Sequence, residues 1–229
     1  MVFITGHMGY IGNQLYMKFP DAVGIDWVMP NQNIVDIILK STKNDVMYHL
    51  AAQTDVQTSQ KEPLEDARTN ILGTINLLSQ FKGKIIYTAS AASVDPQSPY
   101  GISKLAAEHY IKAMSNNFVI VRLPNVYGNS GRGVLDIWAK EETITIFGDG
   151  QQTRDFVHVE DIVEGLVLAK DWATGEYSMG SGHACKLIDV ATETGKPIIY
   201  EPAKEGEIMH SVLPNTTPNW EPTRGLGVE

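Results

Sequence analysis

Tyr100 and Lys104 stand four positions apart in Tyr-Gly-Ile-Ser-Lys, which on a helix puts both side chains on one face about 6 Å apart along the axis. A phenol beside an ammonium group is a route to a base. The free phenol ionises near about 10, and action near neutrality needs that value lowered by roughly 3, worth about 4 kcal/mol. A neighbouring positive charge lowers it. Ser90, ten positions upstream, carries a hydroxyl that can hydrogen-bond the same oxygen, so the trio can take a proton from an alcohol. Tyr and Lys at this spacing also occur on helix surfaces with no chemistry, so their meaning depends on the elements that hold them.

Those elements begin at the first residues. Val2–Thr5 is a short apolar run, and Gly6, Gly9 and Gly12 follow before Ile11, Leu15 and Phe19 recur every four residues. A buried strand therefore leads through a glycine turn into an amphipathic helix. One glycine permits the tight turn, one lets backbone amides approach a pyrophosphate, and one lets the helix pack against the strand. The same glycines would also serve a plain strand-to-helix turn. Residues 22–25 form a second apolar run ending in Asp26, 20 positions past Gly6, where a dinucleotide fold places the acid that binds the adenosine ribose. That carboxylate repels a 2′-phosphate, and Trp27 follows it where a 2′-phosphate site would want Arg or Lys, so the charge favours NAD over NADP. A turn residue closing a strand is the alternative for Asp26.

Residues 45–50 read as a further buried strand running into Ala51, Ala52 and Gln53. Residues 63–81 carry a helical stripe at Leu64, Ala67, Ile71, Ile75 and Leu78, residues 84–88 form a strand, residues 100–115 a helix, and Phe118–Leu123 another strand. Strands apolar on both faces and separated by helices predict an α/β fold, a Rossmann-type doubly wound parallel sheet. Gly6, Asp26, Ala51, Ser90 and Asn125 then all fall at or just past the carboxyl ends of strands, the edge where such sheets bind ligands.

Composition narrows the field. The chain is 43% hydrophobic and 20% charged, the profile of a folded domain, and its formal charge of -9 argues against a surface built for nucleic acid. Cys185 is the single cysteine, so neither an internal disulfide nor a thiolate cluster forms. His7, His49, His109, His158, His183 and His210 lack metal-ligand spacing, and no metal is expected. No apolar window reaches membrane-span length and no basic leader precedes the first strand, which predicts a cytoplasmic protein without a membrane partner.

With these segments in view, the sequence resembles the extended short-chain dehydrogenase/reductase family, its nucleotide-sugar epimerases and dehydratases, and looks closest to the UDP-hexose 4-epimerases. The resemblance rests on TGHMGYIG at residues 5–12, DVMYHLAAQ at 45–53, TNILGTINLL at 69–78, SPYGISK at 98–104, RLPNVYG at 122–128 and TIFGDGQQTRDFVHVEDI at 145–162. It implies NAD as cofactor, with Gly6, Gly9, Tyr10, Ile11 and Gly12 at its pyrophosphate, Asp26 at its ribose and Asn33 and Ile34 at its adenine. Ala51, Ala52 and Gln53 would line it, and Lys104 would bind the nicotinamide ribose. Ser90, Tyr100, Asn125 and Arg154 would meet a nucleotide sugar, most simply a UDP-hexose, with Arg154 gripping diphosphate oxygens. An ion pair with Asp155 or another acid is the competing role for Arg154.

The resemblance further implies a sheet domain from residues 1–128 and 153–181, a small substrate lobe from 129–152 and 182–229, and a homodimer built on the helices at 63–81 and 100–115. Trp220, in a Trp-x-Pro near the end, would pack within that lobe. Dehydratases of the family follow the catalytic Ser or Thr with Asp-Glu, whereas this chain has Ala91 and Ala92. Two alanines cannot move the proton that elimination needs. What remains is oxidation at C4, rotation of the keto sugar and return of hydride to its other face: 4-epimerisation. A keto-sugar reductase would use the same trio, and a non-catalytic dinucleotide sensor would keep only the fold. The interval from Ser90 to Tyr100 is shorter than the family's usual loop. At about 3.3 to 3.6 Å per residue it still lets the two converge, with Thr88 as the fallback hydroxyl.

Overall fold

Along β1 (Val2–Thr5), Phe3 is buried in one apolar cluster and Ile4 in another, and the alternation repeats in every central strand. A computed structural model describes residues 1–128, 133–204 and 207–226. After β1 the chain forms α1 (Tyr10–Met17) and β2 (Val23–Ile25), and then β3 (Val46–His49). Three helices follow, α2 (Val56–Lys61), α3 (Pro63–Ala67) and α4 (Gly73–Gln80), and then β4 (Lys84–Ser90), α5 (Pro99–Met114) and β5 (Phe118–Leu123). Met47, Ile85, Tyr87 and Ile120 face Leu77, Ala107 and Ile111 of α4 and α5, while Tyr48, Ile86, Val119 and Val121 face the other layer. A sheet buried on both sides must be covered by helices on both sides, and parallel pairing follows from those crossovers.

The remaining elements are β6 (Asn125–Tyr127), α6 (Val134–Lys140), β7 (Ile144–Phe147), β8 (Thr153–Arg154), β9 (Phe156–His158), α7 (Val159–Ala169), β10 (Gly175–Ser178), β11 (Cys185–Lys186), α8 (Leu187–Glu193), β12 (Ile198–Glu201) and β13 (His210–Ser211). The main sheet has six strands in the order β10-β5-β4-β3-β1-β2, all parallel. α1 and α7 cover one face and α4 and α5 the other. The chain leaves β1 toward β2 and then returns to β3 on the opposite side, so the order reverses between β1 and β3, where such sheets bind ligands. Residues 26–45 make this return in turns alone, which leaves β2 at the edge of the sheet.

A third cluster, with Tyr127, Trp138, Ile144, Ile146, Phe156, Leu187 and Val190, forms a smaller core. Around it β7 pairs with β12, and β8 lies between β11 and β13. The Lys196 ammonium donates to the carbonyls of Trp138, Ala139 and Glu141 at 2.7, 3.1 and 2.8 Å, placing a cation on the unpaired carbonyls that end α6.

Two expectations change. The helix expected over residues 63–81 forms as α3 and α4 joined by a π-helical turn at Arg68–Leu72, and of its apolar stripe Leu78 enters the core while the first residue does not. Leu64 is 77% exposed, whereas Asp66, Asn70 and Thr74 are buried. The buried face is polar at first because it meets the hydrogen-bonding ends of β3 and the loop after it. Trp220 packs in the core of the main sheet and donates its indole N–H to the Asp161 carbonyl at 2.8 Å, so it fastens the tail to α7 and does not pack in the lobe. The lobe boundaries expected at 129 and 229 lie outside the described residues.

Candidate active site

The loop between β1 and α1 is drawn tight by glycine. Gly6 has φ 72°, in the left-handed region that glycine enters freely, and its carbonyl accepts from the Gly9 amide at 3.0 Å. A Cβ on Gly12 would stand 2.0 Å from the Gly6 carbonyl oxygen, and one on Gly6 would stand 2.8 Å from the Ala51 nitrogen. Three backbone segments therefore touch, and the first amides of α1 have no partner within the helix. The Tyr10 phenol donates to the Gly128 carbonyl at 2.7 Å, and burial pushes its pKa up. Its side chain ties α1 to the end of β6, leaving the backbone at Tyr10 and Ile11 for a ligand.

Asp26, buried at the end of β2, accepts from the Met8 amide at 3.0 Å, while its own amide donates to Gln32 Oε1 at 3.2 Å. The carboxylate is thus fixed against the glycine loop. Asn33 is exposed and accepts from the Val35 amide at 3.0 Å in a local turn, while the Ile34 side chain is buried beside Gly73. The Ile34 side chain is thus turned into the core, whereas Asn33 stays exposed. Ala51 donates its amide to Thr5 Oγ1 at 3.2 Å, and the Gln53 amide donates to Asn70 Oδ1 at 2.8 Å, so the segment expected to line a cofactor is held from beneath.

Ser98 caps α5 by accepting from the Gly101 amide at 3.2 Å, and Pro99 starts the helix, so Tyr100 and Lys104 emerge in its first turns. Ser90 ends β4, and its hydroxyl is a hydrogen-bond partner that pulls the Tyr100 phenol pKa down. Burial, the larger effect, raises it, and the charge on Asp66 raises it further. Lys104 is 3% exposed and donates to the Thr88 carbonyl at 2.8 Å, with its ammonium 4.3 Å from the centre of the Tyr87 ring. Burial brings its pKa down to about 7. Tyr100 meets Ser90 across the short loop, and Lys104, one turn further along α5, directs its ammonium to the Thr88 carbonyl of β4. Thr88, the fallback, is turned away, its hydroxyl donating to the His49 carbonyl at 3.3 Å.

Beneath this pair runs a buried polar chain that sequence reading missed. His49 bridges Thr5 and Thr74 through its two ring nitrogens at 2.8 and 2.9 Å, and burial lowers its pKa to about 3, so the ring is neutral. Asn70 Nδ2 donates to Ser103 Oγ at 3.0 Å and to Asp66 Oδ1 at 3.2 Å. Behind Ser90, the Ser93 hydroxyl lies 2.7 Å from the Ser90 carbonyl and 2.5 Å from the Glu108 carboxylate, which share its one proton, and Glu108 pairs with Arg122. The signal available in the sequence was the recurrence of Asp66, Asn70 and Thr74 every four residues, a polar stripe beside the apolar one.

Among the lobe residues, Arg154 pairs with Glu207 at 3.1 Å and donates to the carbonyls of Thr153 and Ile208 at 2.9 and 2.7 Å. Asp155, fully buried, instead accepts from the amides of Ser181 and Leu213 at 3.0 and 3.3 Å. Asn125 sits on β6 with its amide donating to the Asp155 carbonyl at 3.0 Å. Among the described residues no group of His, Cys, Asp or Glu is arranged to hold a metal, and no helix is long and apolar enough to cross a membrane.

The profile of the NAD dependent epimerase/dehydratase family matches residues 2–180. The chain belongs to that family. A UDP-glucose 4-epimerase of Mycolicibacterium smegmatis is 30% identical over 293 aligned positions, covering 97% of this chain and 94% of the relative. One of Halalkalibacterium halodurans is 28% identical, covering 96% and 90%. The crystal structure of a UDP-glucose 4-epimerase with UDP-glucose from Thermotoga maritima superimposes with a TM-score of 0.84 at 25% identity, covering 98% of this chain and 94% of that one. The 293 aligned positions exceed the 229 residues of this chain, so whole segments of the relative have no counterpart here. The glycine turn, the serine strand and the Tyr-Lys helix are all present in this shorter chain.

Proposed function

We propose that this chain interconverts the C4 epimers of a nucleotide-linked hexose, as a UDP-glucose/UDP-galactose 4-epimerase using NAD. The observation that carries the reading is the approach of Tyr100 to Ser90 at the end of β4, with Lys104 one turn further along α5 and Ala91 and Ala92, and no carboxylate, next to Ser90. NAD, bound along Gly6, Gly9, Tyr10, Ile11 and Gly12 and held at its ribose by Asp26, supplies reversible hydride acceptance from C4. The fit rests on the glycine cradle, which a single Cβ would fill, and on the buried carboxylate at the end of β2.

Tyr100 takes the proton of the C4 hydroxyl and returns it after the keto sugar has turned over. Ser90 holds the same oxygen by a hydrogen bond, and Lys104 keeps positive charge beside the phenolate. Ala51, Ala52 and Gln53 line the cofactor. Asn125 and Arg154 hold the nucleotide diphosphate, with Arg154 preset by Glu207. We divide the molecule into a sheet domain of residues 1–128 and 153–181 and a lobe of 129–152 and 182–229 that covers the sugar. Exposed Leu64, Leu72 and Ile102 on the α3 to α5 layer support a homodimer through that layer, and we assign the protein to the cytoplasm.

The test is incubation with UDP-glucose, UDP-galactose and their N-acetylated and uronic counterparts with NAD, followed by chromatography of the sugars. Interconversion with only catalytic NAD is the expected result. Stoichiometric consumption of NADH with a 4-keto sugar and no epimerisation would replace the reading by a reductase. Binding of NAD with neither reaction would leave a sensor.

A further inference from the structure

Ser90 is the last residue of β4, and the turn that follows it fixes its hydroxyl. Ala91–Ser93 form a single 3-10 turn, and the Ala92 amide donates to Ser90 Oγ at 3.2 Å. A serine oxygen offers two lone pairs and one proton. The amide occupies one lone pair, which leaves the proton and the second lone pair for the Tyr100 phenol, the hydroxyl's side-chain partner, and for a sugar oxygen. Where the turn lies therefore sets where the Ser90 hydroxyl points.

Two contacts hold the turn against α5, the helix that carries Tyr100. At Gly101 the two backbones are so close that a Cβ would stand 2.5 Å from the Ala92 carbonyl oxygen. At Ser93, 1% exposed, the hydroxyl bridges the Ser90 carbonyl at 2.7 Å and Oε1 of Glu108 at 2.5 Å, two turns beyond Tyr100 on α5. Glu108 is fully buried, and Arg122 of β5 faces both of its oxygens, Nε to Oε1 at 3.3 Å and Nη2 to Oε2. Arg122 also reaches Glu176 of β10 at 2.6 Å, and Glu176 meets Lys112, one turn beyond Glu108, at 3.0 Å. The carboxylate is thus anchored from the sheet and from its own helix, which makes it a rigid acceptor. The turn cannot shift without breaking a hydrogen bond to this buried charge.

We infer that Ser93, anchored on Glu108, is a positioning residue: it locks the turn after β4 onto α5 and so aims the Ser90 hydroxyl at the Tyr100 oxygen. The inference rests on the proposed chemistry of Ser90 and Tyr100. Val94, Asp95 and Gln97, which connect the turn to α5, are exposed, so the hold comes from the buried side of the turn. Glu108 stands one helical turn from Lys104, and replacing it would change the charge beside that ammonium as well. Ser93 carries no charge, which makes it the residue to vary.

The experiment is a double-mutant cycle on the full chain with Ser93→Ala, Ser90→Ala and the pair. Ser93→Ala is expected to lower kcat for UDP-glucose by roughly 10-fold while KM and NAD binding stay within about 3-fold, because aim at the reacting oxygen matters in turnover and not in binding. In the Ser90→Ala background the same change is expected to cost less than about 2-fold, since the hydroxyl it aims is gone. Equal losses in the two backgrounds would overturn the inference. Hydrogen exchange of the Ala92 amide reads the turn without turnover. Ser93→Ala is expected to speed this exchange by about 10-fold or more relative to the amides in the middle of α5, and unchanged exchange would also overturn the inference. Should Ser93→Ala not fold, the wild-type protein decides: an Ala92 amide as slow as those of α5 supports the lock, and one that exchanges like an open loop sinks it. Absence of any epimerase activity in wild type would reject the function reading, while the exchange still tests Ser93.

Discussion

Replacing Lys104 by Met should make the protein more stable and nearly inactive, and the gain should depend on pH. In the fold the ammonium ionises at about 7 against its ordinary 10.5, because burial outweighs the attraction of Glu108 and Asp66. The gap of about 3.5 pH units corresponds to about 5 kcal/mol carried by the charged form. Below about pH 7 lysine is charged in both folded and unfolded chains, and the whole cost is present. Between about pH 7 and 10.5 the unfolded chain binds more protons, so wild-type stability rises with pH by about 1.4 kcal/mol per pH unit, and above that window the cost is gone. Met removes this cost but leaves the Thr88 carbonyl, at 2.8 Å from the ammonium in the wild type, without its donor, a loss of about 1 to 3 kcal/mol. Lys104→Met should therefore exceed wild type by about 2 to 4 kcal/mol near pH 6 and lose about 3 kcal/mol of that advantage by about pH 9. Urea unfolding of both proteins across this range is the assay. A constant offset between the two curves would refute the charge-burial reasoning, whatever its size. Turnover should fall by on the order of 10² to 10⁴, as expected for a proton-transfer site without its cation.

Tyr100→Phe should cost turnover on the order of 10³ while NAD and UDP-glucose bind within a few-fold of wild type, measured by steady-state kinetics and calorimetry. Gly12→Ala should abolish tight NAD binding or the fold itself, since its Cβ would stand 2.0 Å from the Gly6 carbonyl oxygen; NAD titration alongside thermal melting distinguishes the two results. Arg154→Ala should raise KM for the nucleotide sugar by roughly 10-fold or more and leave kcat within a few-fold, because a diphosphate grip acts in binding.

The residue pattern was sufficient for much of this protein. Strands apolar on both faces can only be satisfied in a sheet covered on both sides, so Val2–Thr5 and Phe118–Leu123 appear with the bounds read from their runs, and the glycines at 6, 9 and 12 predict a contact that the backbone makes. The Tyr-Lys spacing and the alanines after Ser90 are local facts as well, legible without any fold. Tertiary structure decided where the charges go. Arg154 chose Glu207, 53 positions away, over its neighbour Asp155, because Asp155 is buried and bound to the amides of Ser181 and Leu213. The helix face at 66, 70 and 74 turned inward although an apolar stripe lay beside it, since the end of β3 and the loop after it present polar groups that only buried polar partners can satisfy. Local sequence sets which groups a segment offers, and long-range packing sets which of them lose water, which is why Tyr100 and Lys104 were visible from the start and the carboxylate beneath them was not.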